Sequence, residues 1–445
     1  MRLFGATISG VTMSGYFCRM ALFAIGFTWL AAGHAQPQTA DALTLGETIQ
    51  RVTDNNPSLA AYAPRLKALA GERASASLSP PLALNAEADE FGGTNEAQGI
   101  DGVELTLALS SVIELGDRPA FRTAIVDARE GLSVAQRRTQ LLDVQAKAAR
   151  LFVELAALQQ ELEVARQAED LARQAEETVG RRVSRARAPQ AELDRAKAAT
   201  ARASLEVGHI EHQLPTLRTK LAALWGAEQP GFELVDDDAL FHPGSAGAFE
   251  PMVEALNRNP DLQQLASQER IQTASLRLAQ SNARGDIRWR AGVRRLEGSD
   301  STGLVAGVSI PLFSGRRAQG DIAAATARRE AARFDSQAAV IAARATLFEA
   351  WQHRAHAIEA FVMLRDAVIP RLESALGDTR EAYRAGRYSY LELIAARQEL
   401  IDARLALVNA ARRAHLNRIE LERLSGAALT AADSDSEHKE SDHDH

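Results

Sequence analysis

The amino-acid sequence is written twice, and this constrains its fold more than any other feature. At a spacing of about 200 residues, Asn55-Asn56-Pro57-Ser58-Leu59 recurs as Arg258-Asn259-Pro260-Asp261-Leu262, each early in an Ala/Leu-rich stretch. Leu115-Gly116-Asp117-Arg118 recurs as Ser314-Gly315-Arg316-Arg317, and Ala191-Glu192-Leu193-Asp194-Arg195-Ala196 as Leu391-Glu392-Leu393-Ile394-Ala395-Ala396. Leu221-Ala222-Ala223-Leu224-Trp225-Gly226 recurs as Leu421-Glu422-Arg423-Leu424-Ser425-Gly426. Matches in the same order mean a duplicated unit, and each unit reads helix, strand, strand, long helix, helix. A chain of 445 residues built this way is expected to be one elongated repeat architecture rather than several globular domains. The expected boundaries are a signal peptide at 1–35, a first repeat at 36–226, a linker at 227–248, a second repeat at 249–426 and an acidic, His-containing tail at 427–445. Pro230, Gly231, Pro243, Gly244 and Gly247 mark the linker, around the acidic run Asp236-Asp237-Asp238.

The helical parts carry apolar residues three and four apart, as in Leu141, Val144, Ala148, Leu151, Leu155, Leu158 and Leu162, and again in Leu391, Ile394, Ile401, Leu405 and Val408. Such stripes pack helices in coiled-coil fashion, and the abundant alanines let them approach closely. Little interrupts a helix between Pro119 and about Arg187, a length on the order of 100 Å at 1.5 Å per residue. Its counterpart runs from Arg316 to about Ala385, with Pro370 as an expected kink.

Between the helices lie four alternating segments. Leu82, Leu84, Ala86 and Ala88 share one face, as do Val103, Leu105, Leu107 and Leu109. The second repeat supplies Ile287, Trp289, Ala291 and Val293, then Leu304, Ala306, Val308, Ile310 and Leu312. An apolar face backed by a polar one over about ten residues is the pattern of a membrane β-strand lining water. It is equally the pattern of a small sheet with one solvated face. Four strands cannot close a barrel, since the smallest membrane barrels use about eight, so a pore requires more than one chain. Glu87, Asp89, Glu104, Arg288, Arg290 and Arg294 are then expected to face the lumen.

The N-terminus carries Arg2 and Arg19 as its only charges before Asp41, an apolar run from Met20 to Ala32, and small residues at Gly33 and Ala35. This is the pattern of an export signal cleaved after Ala35, and the run is shorter than a membrane span. Cys18, the single cysteine, lies inside that segment, so the mature chain has no thiol chemistry. Removing both arginines takes the formal charge from −7 to about −9, which argues against nucleic acid as a partner. No phosphate loop, His-Glu-x-x-His, Gly-x-Ser-x-Gly or cysteine nucleophile is present. The expectation is a non-enzyme without nucleotide or redox cofactor.

Over nearly the whole mature length the chain resembles the TolC family of outer-membrane efflux proteins. The resemblance rests on the duplicated Asn-Pro-x-Leu at Asn56 to Leu59 and Asn259 to Leu262, and on the strand exits at Leu115-Gly116 and Pro311-Leu312-Phe313-Ser314-Gly315. It also rests on Tyr383-Arg384-Ala385-Gly386-Arg387-Tyr388-Ser389-Tyr390-Leu391-Glu392-Leu393. It implies an α+β membrane protein that is a homotrimer, with a 12-stranded barrel in outer-membrane lipid continued by a duplicated coiled-coil tunnel through the periplasm. It further implies partners: a periplasmic adaptor of the membrane fusion class and an inner-membrane resistance-nodulation-division pump. The tunnel tip would then carry Arg185, Arg187, Tyr383, Gly386 and Arg387. Ile113-Glu114-Leu115-Gly116-Asp117-Arg118 is similar to the cobalt-zinc-cadmium (CzcC-like) branch, which often has Gly-Lys-Arg where this chain has Gly116-Asp117-Arg118. Passive exit of divalent heavy-metal cations is the function this implies. A multidrug or type I secretion duct is the alternative within channels, and a periplasmic coiled-coil scaffold the alternative outside them.

Imidazole and carboxylate in the tail, His438, His443 and His445 among Asp and Glu, are competent but unorganised metal ligands, or else a solubilising tail. His209 with His212 and His353 with His356 sit three apart on helix faces and read as solvated surface.

Overall fold

The computed structural model describes residues 42–90, 92, 94 and 102–427. The expected signal peptide, nearly all of the tail and most of the first hairpin loop lie outside the described residues. The first repeat opens with a capping box: the Thr44 hydroxyl accepts from Glu47 N–H and the Glu47 carboxylate accepts from Thr44 N–H, both at 3.2 Å. Helix α1 (Leu45–Asn55) ends where Pro57 begins the short α2 (Pro57–Ala60), followed by α3 (Tyr62–Ala76). The single helix expected before the hairpin is thus three, because Pro57 has no N–H to continue α1 and Asn56 starts a new helix with its side chain.

Strands β1 (Ala83–Asp89) and β2 (Glu104–Ile113) form the first hairpin, and α4 (Arg118–Ser184) and α5 (Gln190–Ala222) follow. The second repeat supplies α6 (Phe249–Leu256), α7 (Pro260–Ser281), β3 (Ile287–Leu296), β4 (Ser301–Ser309), α8 (Ser314–Met363), α9 (Ile369–Arg384) and α10 (Tyr390–Ser425). The strands make one antiparallel sheet in the order β1-β2-β3-β4. The fourth strand is displaced from the expected 304–312, because Pro311 has no ladder donor and the turn closes early at Glu297–Ser299.

Both long helices start from a left-handed residue, Asp117 (φ 55°) before α4 and Phe313 (φ 63°) before α8. These two positions are therefore equivalent, three residues away from the pairing that matched Asp117 with Arg316. Arg118 ties the repeats together here, pairing with Asp286 at 2.5 Å and donating to the Arg284 carbonyl. The expected kink at Pro370 takes the form of a π-turn over Leu364–Val368 between α8 and α9. Proline lacks the N–H and its ring crowds the carbonyl four residues back, so the helix widens by one residue just before it.

The core runs along α4. Val144, Phe152, Leu155 and Leu162 pack with Ile210, Leu214 and Leu221 of α5, Phe361 of α8, and Ile401, Val408 and Ile419 of α10. Ala148, Ala157, Ala411 and Ala414 are fully buried, which sets the close helix approach. A second cluster at the far end joins Val179, Leu376, Tyr383, Tyr390, Leu393 and Leu400.

The segment between repeats is a strap held to the helices by its backbone. Val235 bridges Leu43, while Gln159 donates to the Val235 carbonyl at 3.0 Å and accepts from its N–H at 2.9 Å. His415 Nε2 meets the Leu240 carbonyl at 3.0 Å, and Trp351 donates to the Gly247 carbonyl at 3.1 Å. Burial, reinforced by Arg418 and Arg354, pushes the His415 pKa down to about 4. Glu422, packed by the same arginines, is pushed upward by burial. An unfolded histidine binds its proton near pH 6.5, so between there and pH 4 the unfolded chain holds the extra proton and stability falls as pH falls. The expected loss is up to about 3 kcal/mol, with none above pH 6.5. His415→Gln keeps a donor for Leu240 and does not titrate. Denaturant melts at pH 7 and pH 4.5 should show a smaller acid loss in this variant than in the parent, and equal losses would exonerate His415.

Candidate channel lining and helical tip

The strand register decides which side chains share a face. Asp89 lies opposite Glu104, Glu87 opposite Thr106, Thr106 opposite Arg294, Ser110 opposite Arg290 and Val112 opposite Arg288. All six expected lumen residues therefore project from one face of the sheet. Glu104 accepts from Arg294 at 2.6 Å, and Arg294 also donates to Thr106 at 3.0 Å. Arg290 stands 3.6 Å from Glu87. Acids on β1 and β2 thus face bases on β3. Thr106, which alternation alone did not single out, is 4% exposed and holds Arg294 in place.

The opposite face is apolar and open. Leu84, Leu105, Leu107, Leu109, Val293, Leu304 and Val308 are all exposed. Arg295, the only charge among the described strand residues of this face, sits at the loop end and is paired by Asp300 and Glu297. A sheet with paired charges on one face and exposed leucines on the other is inverted relative to a soluble protein, whose apolar face packs inward. Strands of about ten residues at 3.3 Å each match the apolar band of a membrane barrel. Strands β1 and β4 each have one unpaired edge. A stripe on α8, Phe334, Ile341 and Phe348, recurs every seven residues and is also exposed.

At the far end of the long helices the turns after α4 and α9 come together. Ala186 (φ 54°) and Gly386 (φ 76°) occupy the same left-handed position in the two turns, so the sequence difference between them does not change the path of the chain. Arg185, Arg187 and Arg387 are exposed there. Tyr383 is not: it is 1% exposed, with its hydroxyl donating to Glu192 at 3.3 Å and Arg182 stacked 4.5 Å from its ring centre. Burial, with the Glu192 carboxylate beside it, raises the phenol to about 12. Of the five expected tip residues it alone belongs to the interior, where it joins the two turns. Arg182, which makes that joint, was one arginine among many in the sequence, and only the fold distinguishes it.

The histidine pairs gain no third ligand. His209 contacts Gln213 at 2.5 Å, and His353 and His356 line an open groove between α8 and α10. Among the described residues no group of three or more His, Cys, Asp or Glu is arranged to hold a metal, and no helix is long and apolar enough to cross a membrane. His438, His443 and His445 lie outside the described residues.

Comparison with known proteins agrees with this geometry. Residues 252–427 match the outer membrane efflux protein family. The cobalt-zinc-cadmium resistance protein CzcC of Cupriavidus metallidurans is 22% identical over 368 residues, 83% of this chain and 86% of that protein. Among solved structures, CusC superposes with a TM-score of 0.74 at 16% identity, covering 86% of this chain and 92% of that one. The outer-membrane channel OprN gives 0.70 at 17%, covering 86% and 90%. VceC of Vibrio cholerae gives 0.69 at 20%, covering 86% and 96%. The family match over the second repeat, the relative aligned over most of the chain and the fold shared with solved outer-membrane channels converge on one likeness: this chain is similar to the outer membrane efflux proteins.

Proposed function

We propose that three copies of this chain close one duct, with twelve strands in the outer membrane and a helical tunnel below, through which divalent heavy-metal cations leave the cell. The observation that carries the duct is the inverted sheet. Its outward leucines need lipid, its inward ion pairs need water, and its two free edges need partners that another copy's β1 and β4 supply. The exposed stripe of Phe334, Ile341 and Phe348 on α8, spaced every seven residues, supports a neighbouring copy packing along the helices as well. Glu87, Asp89, Glu104, Arg288, Arg290 and Arg294 then line the barrel. On this reading a periplasmic adaptor and an inner-membrane pump drive the flow, in keeping with a sequence that carries no phosphate-binding loop.

The cargo reading rests on the cobalt-zinc-cadmium resistance relative aligned over 83% of the chain, and on the Glu114-Leu115-Gly116 segment at the strand exit. Deleting the gene while leaving the pump intact tests it. Lower tolerance to zinc, cobalt, cadmium or nickel with unchanged tolerance to dyes and detergents is the expected result. The reverse pattern would reject metals and keep the duct. Truncation after Thr430 in the complemented strain asks whether His438, His443 and His445 contribute to metal tolerance.

A further inference from the structure

Partly buried arginines in this fold are matched by carboxylates, as Arg122 is by Glu114 at 2.5 Å and Arg423 by Asp143 at 2.7 Å and Asp261 at 3.0 Å. One group breaks the pattern. Between α4, α9 and α10 lies a half-enclosed cavity lined by Arg380, Arg384 and Arg397. Arg380 and Arg384 stand one turn apart on α9, and Arg397 meets them from α10. Among the described residues no carboxylate pairs with any of the three, and none of their guanidinium groups makes a hydrogen bond. Buried Leu376 and Leu393 line the same cavity, so the charges are backed by apolar surface rather than by water. Burial, with Arg384 and Arg397 beside it, lowers the Arg380 pKa, and no acid acts against the shift. Burial also lowers that of Arg397, opposed by the Tyr390 phenol alone. Tyr390 is 3% exposed, and its buried hydroxyl is a further donor without a partner.

We infer that this cavity is a binding site for a small tetrahedral oxyanion, inorganic phosphate or sulfate, held between α4, α9 and α10. A buried lysine or carboxyl group can shed its charge by shifting its pKa, whereas a guanidinium stays charged at any working pH. Three like charges against an apolar wall are therefore costly until an anion joins them. Planar guanidinium forks match oxyanion oxygens in pairs, and three such forks offer more directed donors than a chloride ion can use. Gln174 of α4 lines the cavity too, and its side-chain amide makes no hydrogen bond to the described residues, which leaves a donor for a further oxygen. A lipid headgroup carries the same phosphate chemistry, but the cavity lies about 80 Å along α4 from the sheet at 1.5 Å per residue, which makes a free oxyanion the source. Bound there, it ties α9 and α10 to α4 at the end of the long helices. The site is built within one chain and does not depend on the duct reading.

The test uses the full-length protein in detergent, exchanged into a buffer whose only anion is chloride, and radiolabelled inorganic phosphate added by equilibrium dialysis at constant ionic strength. The parent should bind one phosphate per chain with a dissociation constant of about 1 mM or tighter, and unlabelled sulfate should compete for it. The double variant Arg380→Gln, Arg397→Gln should weaken binding about tenfold or more. It should keep the parent's far-ultraviolet circular dichroism and denaturant midpoint in chloride, so that lost binding reports the site and not the fold. The variant Arg380→Lys, Arg397→Lys keeps charge and bulk without the forks and covers the case in which the glutamines disturb folding: its binding should fall several-fold, and undiminished binding would overturn the inference. No saturable phosphate binding by the parent, or equal binding by parent and glutamine variant, also overturns it. Binding by chains dissociated in detergent but not by the intact oligomer overturns it in favour of a carboxylate from a neighbouring copy filling the cavity.

Discussion

Replacing Asn259 by alanine is expected to cost about 4 kcal/mol, and replacing its repeat counterpart Asn56 about 2 kcal/mol. Asn259 is 2% exposed and uses both ends of its amide. Its oxygen accepts from the N–H groups of Asp261 at 2.7 Å and Leu262 at 3.3 Å, starting α7. Its nitrogen donates to the Leu424 carbonyl at 2.7 Å, in the last turn of α10. One side chain therefore caps the first long helix of the repeat and holds the end of the last. Truncation leaves two donors and a carbonyl without partners in a buried place, each costing about 1–3 kcal/mol before relaxation. Asn56 makes the same clamp, accepting from Ser58 and donating to the Leu224 carbonyl at 2.7 Å, but it satisfies one fewer helix N–H and is less buried. Asn259→Asp separates the two ends: the cap survives, but the donor is gone and a carboxylate faces the Leu424 carbonyl, so its cost should approach that of alanine. Denaturant midpoints of the detergent-extracted protein should rank Asn259→Ala and Asn259→Asp well below Asn56→Ala, and Asn56→Ala below the parent. Asn259→Asp at parental stability would mean that the clamp to α10 contributes nothing.

That clamp explains why the duplication was legible. Asn-Pro and the segments ending in Leu224 and Leu424 touch each other within each repeat, so both members of the contact are copied together. The sheet faces were legible because alternation is local and survives whatever the strand packs against. The features that escaped are made by distant contacts. Nothing near Tyr383 in sequence says that Arg182 and Glu192 enclose it. Proline and glycine marked residues 227–248 as a linker, and the strap that forms there depends on Gln159, Trp351 and His415 from three other elements. At the fourth strand the apolar alternation runs through Ile310 and Leu312, and only the missing N–H of Pro311 ends the ladder earlier. Equivalence of Asp117 and Phe313 is set by backbone conformation, which those two residue types do not announce.

Gly292→Val is expected to abolish assembly of the sheet while leaving the helices folded. Gly292 lies on the charged face of β3, opposite Ala108. A β-carbon there would lie 2.3 Å from the Leu107 carbonyl oxygen and 2.6 Å from Ala108 Cα and Cβ, closer than atoms can approach. Ala108 is already 2% exposed here, between Asn85 of β1 and Gly292 of β3. Relief requires β2 and β3 to separate, and their ladder is what joins the first hairpin to the second. The clash is with backbone, so no rotamer change removes it, and the penalty should reach about 4 kcal/mol or more. Gly303→Val is the matched control, on the same face in β4 with nothing within 4 Å of its added β-carbon, and should shift stability by no more than about 0.5 kcal/mol. Membrane-extracted protein should show heat-modified migration for the parent and Gly303→Val but not for Gly292→Val, whose far-ultraviolet circular dichroism should still report helices. Normal assembly of Gly292→Val would mean that the two hairpins are not bound edge to edge through β2 and β3. Failure of both variants would mean that any side chain on this face is excluded, and the lumen would then be narrower than its row of arginines and glutamates requires.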